Sequence, residues 1–78
     1  MKKLTREEVI AILEEAKQQG KKADFSDMDL SGLDLSWLDL SGLDFSFANC
    51  YRAYLTCANF TGADLYSANF TGAKGIDK

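Results

Sequence analysis

The side chains able to do chemistry in this sequence are carboxylates, hydroxyls and two thiols. Seven aspartates lie between residues 23 and 72, and five of them are followed two positions later by serine. A carboxylate beside a hydroxyl suits acid–base work, but the commonest general base is histidine, and the chain has none. Cys50 and Cys57 are separated by six residues, wider than a metal knuckle, and no histidine completes a zinc set. Gly32, Gly42, Gly62 and Gly72 recur singly and form no phosphate-binding loop. No catalytic centre, no cofactor and no metal site is expected.

A second group of residues suits recognition. Trp37, Phe47, Tyr51, Tyr54 and Tyr66 stand at positions expected to face outward, with Arg52 among them. Tryptophan, tyrosine and arginine are the types that carry most binding energy at protein interfaces. These six residues are the candidate contacts for a protein partner.

Two elements must position all of these groups. Residues 4–19 read as an amphipathic helix. Thr5 followed by Glu8 forms a capping box, with Leu4 and Val9 at the staple positions around it. Val9, Ile12, Leu13 and Ala16 recur at helical spacing and make one apolar face. Gly20 is placed to end the helix. A helix this short is marginal in water, so its apolar face must pack on something.

From Ala23 the period changes to five. The chain divides into ADFSD, MDLSG, LDLSW, LDLSG, LDFSF, ANCYR, AYLTC, ANFTG, ADLYS and ANFTG, ten full repeats over residues 23–72. The middle residue is apolar in all ten. A period of five matches neither helix nor strand. It matches a chain that turns a corner every five residues, with the first and third residues inward, and such units bury a face only by stacking. Cys50 falls at an inward position and Cys57 at an outward one, so a disulfide between them is not expected.

The repeat resembles the pentapeptide-repeat family, whose motif is A(D/N)LXX. The resemblance covers residues 23–72. It implies an all-β solenoid, a right-handed quadrilateral β-helix with four repeats per coil, here of about two and a half coils. The domain would comprise a capping helix and linker at 1–22 and the β-helix at 23–78.

Twenty residues per coil set the stacking. Phe25, Phe45 and Leu65 share one ladder, and Leu30, Cys50 and Phe70 another. The first residue of each repeat is large early, at Met28, Leu33, Leu38 and Leu43, and alanine later, from Ala48 to Ala68. The large residues are expected to meet Val9, Ile12 and Leu13, so that the helix plugs the N-terminal end. On that reading Leu13→Asp unfolds the domain. The other end has no plug, and Leu55, Phe60, Leu65, Phe70 and Ile76 are the candidates for end-to-end self-association into a homodimer.

Charge narrows the function. Residues 1–22 carry six basic and four acidic side chains, and residues 23–72 carry seven aspartates against Arg52 alone. A nucleic-acid binder needs a basic stripe on its folded body, so direct nucleic-acid binding is not expected. With no secretory leader at the start and no apolar run long enough for a membrane span, the chain reads as cytoplasmic. The expected function is a non-catalytic structural or protein–protein interaction module. The resemblance implies an alternative, because some family members bind DNA gyrase as DNA mimics: an acidic regulator of such an enzyme.

Overall fold

The computed structural model describes residues 1–75, in which the one helix, α1, spans Arg6–Gln18. Its start is built as a full capping box. Thr5 Oγ1 accepts the Glu8 N–H at 3.1 Å, and Glu8 Oε1 accepts the Thr5 N–H at 2.9 Å. Its end is a Schellman motif: Gly20, at φ +67°, donates to the Lys17 carbonyl, and Lys21 donates to the Ala16 carbonyl.

Beyond α1 the chain winds in coils of twenty residues. Parallel bridges join Asp24 to Asp44, Asp29 to Asn49, Asp34 to Tyr54, Asp39 to Asn59, Asp44 to Asp64, Asn49 to Asn69 and Tyr54 to Lys74. Each is an isolated bridge, and the described residues contain no continuous strand. This departs from an all-β class in the ordinary sense. The cause is the period: every five residues a turn interrupts the extended backbone, so each side of a coil is too short to be more than a bridge.

The turns share one construction. The carbonyl of the middle residue accepts from the N–H three positions on, as in Met28 to Phe25 at 3.2 Å and Ala48 to Phe45 at 3.0 Å. The residue before the donor has positive φ, the arrangement of a type II turn. On the outer side, Asp24, Asp29, Asp34, Asp39, Asp44 and Asp64 each accept the N–H two residues on, at 2.9–3.1 Å. Asn49, Asn59 and Asn69 make the same bond. The aspartate–serine spacing is therefore turn chemistry.

This has a consequence for pH. The serine hydroxyl, then the serine N–H, hold the carboxyls of Asp34, Asp39 and Asp44 below their ordinary value of 3.8. A carboxylate with a depressed folded pKa contributes its stability above the unfolded value and loses it as pH falls through the folded one. The melting temperature measured by circular dichroism is therefore expected to hold from pH 7 to about 5 and to drop below about 4. A melting temperature at pH 3 equal to that at pH 7 contradicts this.

The core runs up the axis of the coils. Phe25, Leu30, Leu35, Leu40, Phe45 and Cys50 are all buried, with Ala48, Ala53 and Leu55 beside them. Leu4 and Val9 close the lower end, each only 1% exposed. Ile12, Leu13, Met28, Leu33 and Leu38 are half-buried against that cluster, and Leu43 is buried within it. Leu13 lines a groove that α1 leaves beside Leu38 and Leu43, which is why it is covered less than Val9.

The first residues also join the ladder, a role the repeat pattern gave no hint of. Lys3 bridges to Asp29, Leu4 N–H donates to the Asp29 carbonyl at 3.0 Å, and Asp29 N–H donates to the Lys2 carbonyl at 2.8 Å. The Lys3 ammonium donates to the Ser31 carbonyl, and the Arg6 guanidinium donates to the carbonyls of Asp34 and Ser36. Residues 2–6 thus supply donors to the lower edge of the first coil, where carbonyls point outward. The positive balance of residues 1–22 is partly spent on that edge.

Candidate functional site

Two regions stand out as surfaces rather than pockets for chemistry. The first is the outer wall. Trp37 is 74% exposed and Tyr66 is 69% exposed, while Phe47, Tyr51, Tyr54 and Arg52 are also on the surface. The coil brings only some of them together. Phe47 and Tyr66 pack edge to face with centroids 5.6 Å apart. Arg52 lies over the Tyr51 ring at 5.3 Å. Tyr54 sits on the next side, bridged between Asp34 and Lys74. Trp37 stands at a different corner, where its N–H donates to the Thr56 carbonyl. The six residues do not form one patch.

The backbone under several of them is unusual. Trp37, Phe47 and Arg52 occupy the positive-φ turn position, at +67°, +61° and +58°, where glycine stands in four of the repeats. A bulky side chain there costs about 1–2 kcal/mol. Trp37, 74% exposed, recovers little of it by burial. Trp37→Gly is expected to raise the melting temperature by about 2–8 °C, the relief of strain outweighing the greater freedom of an unfolded glycine. A lower melting temperature would mean that Trp37 supports the fold.

The second region is the upper end. A depression of ≈ 490 Å³ opens there, lined by Phe60, Leu65, Phe70, Ala58 and Leu55. Leu65 is exposed and Phe60 and Phe70 are half-buried. Leu55 differs from its expected place at an exposed rim: it is 4% exposed, because the returning chain covers that side. Leu55 N–H donates to the Lys74 carbonyl, and Lys74 N–H to the Ala53 carbonyl. Lys74 makes the last of these bonds among the described residues, and Gly75 takes the middle position of its repeat at φ +80°. A Cβ there would come within 2.9 Å of Thr56 Cα and closer still to its nitrogen. Ile76, also expected at this end, lies outside the described residues.

The thiols separate cleanly. Cys50 is buried, and burial, with Asp29 adding, pushes its thiol up to about 12. Cys57 is exposed. A disulfide-exchange reagent at pH 8 is expected to titrate one thiol in the native protein and two after denaturation. Two fast thiols in the native state would place Cys50 outside the core. Among the described residues no cluster of three metal-ligating side chains occurs, and no helix is long and apolar enough to cross a membrane.

The family model described as pentapeptide repeats (8 copies) matches residues 21–46 and 44–74, well over half of the chain. The chain belongs to the pentapeptide-repeat family. No curated protein matches it. Pentapeptide-repeat chains are generally non-catalytic repeat modules, which agrees with aspartates and hydroxyls engaged in turns. Sequence reasoning about this pentapeptide-repeat chain missed the role of Lys3 and Arg6 at the lower edge. The signal available was the excess of basic residues before the repeats.

Proposed function

We propose that this pentapeptide-repeat protein is a protein–protein interaction module whose binding surface is the upper, C-terminal end of a right-handed quadrilateral β-helix. The observation that carries the reading is the contrast between the two ends. The lower end is covered by α1 and by residues 2–6, whereas among the described residues the upper end leaves Phe60, Leu65 and Phe70 around an open depression. An apolar, unpaired coil edge is a ready template for association.

Affinity capture from a native lysate with the wild type and with Leu65→Glu tests this. Leu65 is 39% exposed, so its replacement spares the fold. A protein retained by the wild type and lost with Leu65→Glu, at unchanged circular dichroism, supports the upper end as the site. Equal retention by both sinks it. A homodimer through the same end is the second reading, favoured by the same apolar rim, and light scattering over a dilution series detects it.

The acidic DNA-mimic alternative has less support. Six of the seven aspartates before residue 73 accept turn N–H groups, and Asp29 and Asp34 also face Lys3 and Arg6 at 4.0 and 3.6 Å. That reading fails if the protein leaves gyrase supercoiling unchanged at high concentration.

A further inference from the structure

The ladder between coils is not symmetric in donors and acceptors. From the first coil, Phe25, Asp27, Leu30, Gly32, Leu35, Trp37, Leu40 and Gly42 donate upward to carbonyls of the second. In the other direction each repeat gives one bond against two: Asn49, Tyr54 and Asn59 of the second coil and Asp64 of the third donate downward, to the carbonyls of Met28, Leu33, Leu38 and Leu43. An upper edge therefore presents two N–H groups for each carbonyl, and a lower edge presents the reverse. The lower edge of this protein meets its excess of carbonyls with the cations Lys3 and Arg6.

The upper edge is the donor-rich one. Among the described residues, no acceptor reaches the N–H groups of Phe60, Gly62, Leu65, Ser67, Phe70 or Gly72. On the same three sides only the carbonyls of Ala58, Ala63 and Ala68 face upward without a donor. A second copy of this edge offers the same excess of donors, so two like edges pressed together leave half of their N–H groups unmatched. Each buried unmatched group carries a penalty comparable to a lost hydrogen bond. The complementary lower edge of a second copy is already occupied by its own residues 2–6.

Side-chain charge changes in the same direction along the axis. The second repeat position is aspartate four times in the first coil, at Asp24, Asp29, Asp34 and Asp39. Higher up it becomes Asn49, Asn59, Asn69 and Lys74, with Asp44 and Asp64 remaining on one side. Asparagine keeps the turn bond, as Asn59 and Asn69 do at 3.0 and 2.9 Å, and drops the charge. Arg52 lies against the edge: a Cβ on Gly72 would sit 3.1 Å from its Cγ and 3.9 Å from its Nε. Lys74 is exposed on the adjoining side.

We propose that the open upper edge docks an extended, acidic segment of a partner protein, whose carbonyls and carboxylates accept the surplus N–H groups while its apolar residues enter the depression at Phe60, Leu65 and Phe70. This rests on the reading of the upper end as the interaction surface and adds the chemistry of the occupant. Backbone donors, Arg52 and Lys74 favour acceptors and negative charge, and the recessed apolar floor favours alternate side chains of an extended chain.

The test uses the full chain and three labelled ten-residue peptides that alternate leucine with glutamate, glutamine or lysine. Binding is read by fluorescence anisotropy and mapped by amide NMR and hydrogen exchange. The glutamate peptide is expected to bind at least tenfold more tightly than the lysine peptide, to weaken with added salt, and to slow exchange at the six edge amides. Arg52→Glu combined with Lys74→Glu is expected to lose at least fivefold of that affinity, and Lys17→Glu at the far end to lose none. Equal binding of the three peptides at the edge keeps the surface and overturns the acidic class. Binding of none overturns both. Edge amides protected in the free protein, and released on dilution, assign the edge to a second copy and overturn the proposal.

Discussion

Phe45→Ala is expected to remove a quarter or more of this domain's stability at once. Phe45 is 1% exposed and joins two aromatic contacts: it stacks on Phe25 at 5.2 Å with planes 15° apart, and meets Phe60 edge to face at 5.3 Å. Phe60 in turn meets Phe70 at 5.9 Å, so a continuous aromatic column links the coils. Truncation to alanine at a buried phenylalanine costs about 3–5 kcal/mol, part of it the cavity left behind. A chain of 78 residues has roughly 4–12 kcal/mol in total. The loss is therefore about a quarter or more of the whole, and the melting temperature is expected to fall by about 12–40 °C. The same substitution at half-buried Phe70 removes less packed surface and is expected to cost about 1–2 kcal/mol. Urea unfolding of both variants measures the contrast. A loss below about 2 kcal/mol for Phe45→Ala would mean that neighbouring side chains collapse into the gap.

The Phe25–Phe45 stack was readable from the sequence because a period of five repeats each inward position at twenty residues, whereas the contacts of Phe60 with Phe45 and Phe70 cross between registers and were not. The bonds at Asp24, Asp29 and their equivalents were readable too, since an aspartate or asparagine two residues before a hydroxyl is a local motif that needs no tertiary context. Other features were not. Which residue of an apolar helix face goes deepest depends on how the helix tilts over the coil, and spacing alone ranks Val9, Ile12 and Leu13 equally. The edge caps by Lys3 and Arg6 depend on where a non-repeating segment lands. The isolated character of the bridges follows from turn density, a property of backbone geometry rather than of any residue. The candidate surface was only half legible: the exposed aromatics announce themselves by breaking the motif, whereas the donor excess of the upper edge is a backbone property written in no side chain.

The lower end is where sequence spacing and structure diverge most, and it sets the second large effect. Spacing alone ranks Leu13 with Val9, but Leu13 is only half-buried beside a groove, whereas Val9 is 1% exposed. Val9 and Leu4 flank the Thr5 cap as a hydrophobic staple, so one side chain holds the start of α1 and closes the core together. Val9→Asp puts a carboxylate into that apolar end, an uncompensated buried charge that costs about 3–5 kcal/mol. Released from the coil, the 13-residue helix has too little cooperativity to persist, so helicity and coil are expected to be lost together. Leu13→Asp, able to reach solvent through the groove, is expected to cost about 1–2 kcal/mol and to leave the domain folded. The pH dependence separates charge from shape. A carboxyl buried without a partner has its folded pKa raised, so its destabilisation is full above that value and is relieved as pH falls towards the unfolded one. Between pH 7 and about 5 the turn aspartates stay ionised, so Val9→Asp is expected to gain stability relative to the wild type in that window. Val9→Asn, polar but uncharged, is expected to stay at a constant deficit across it. Parallel pH profiles for the two variants would show that the damage at Val9 is lost packing and not a buried charge.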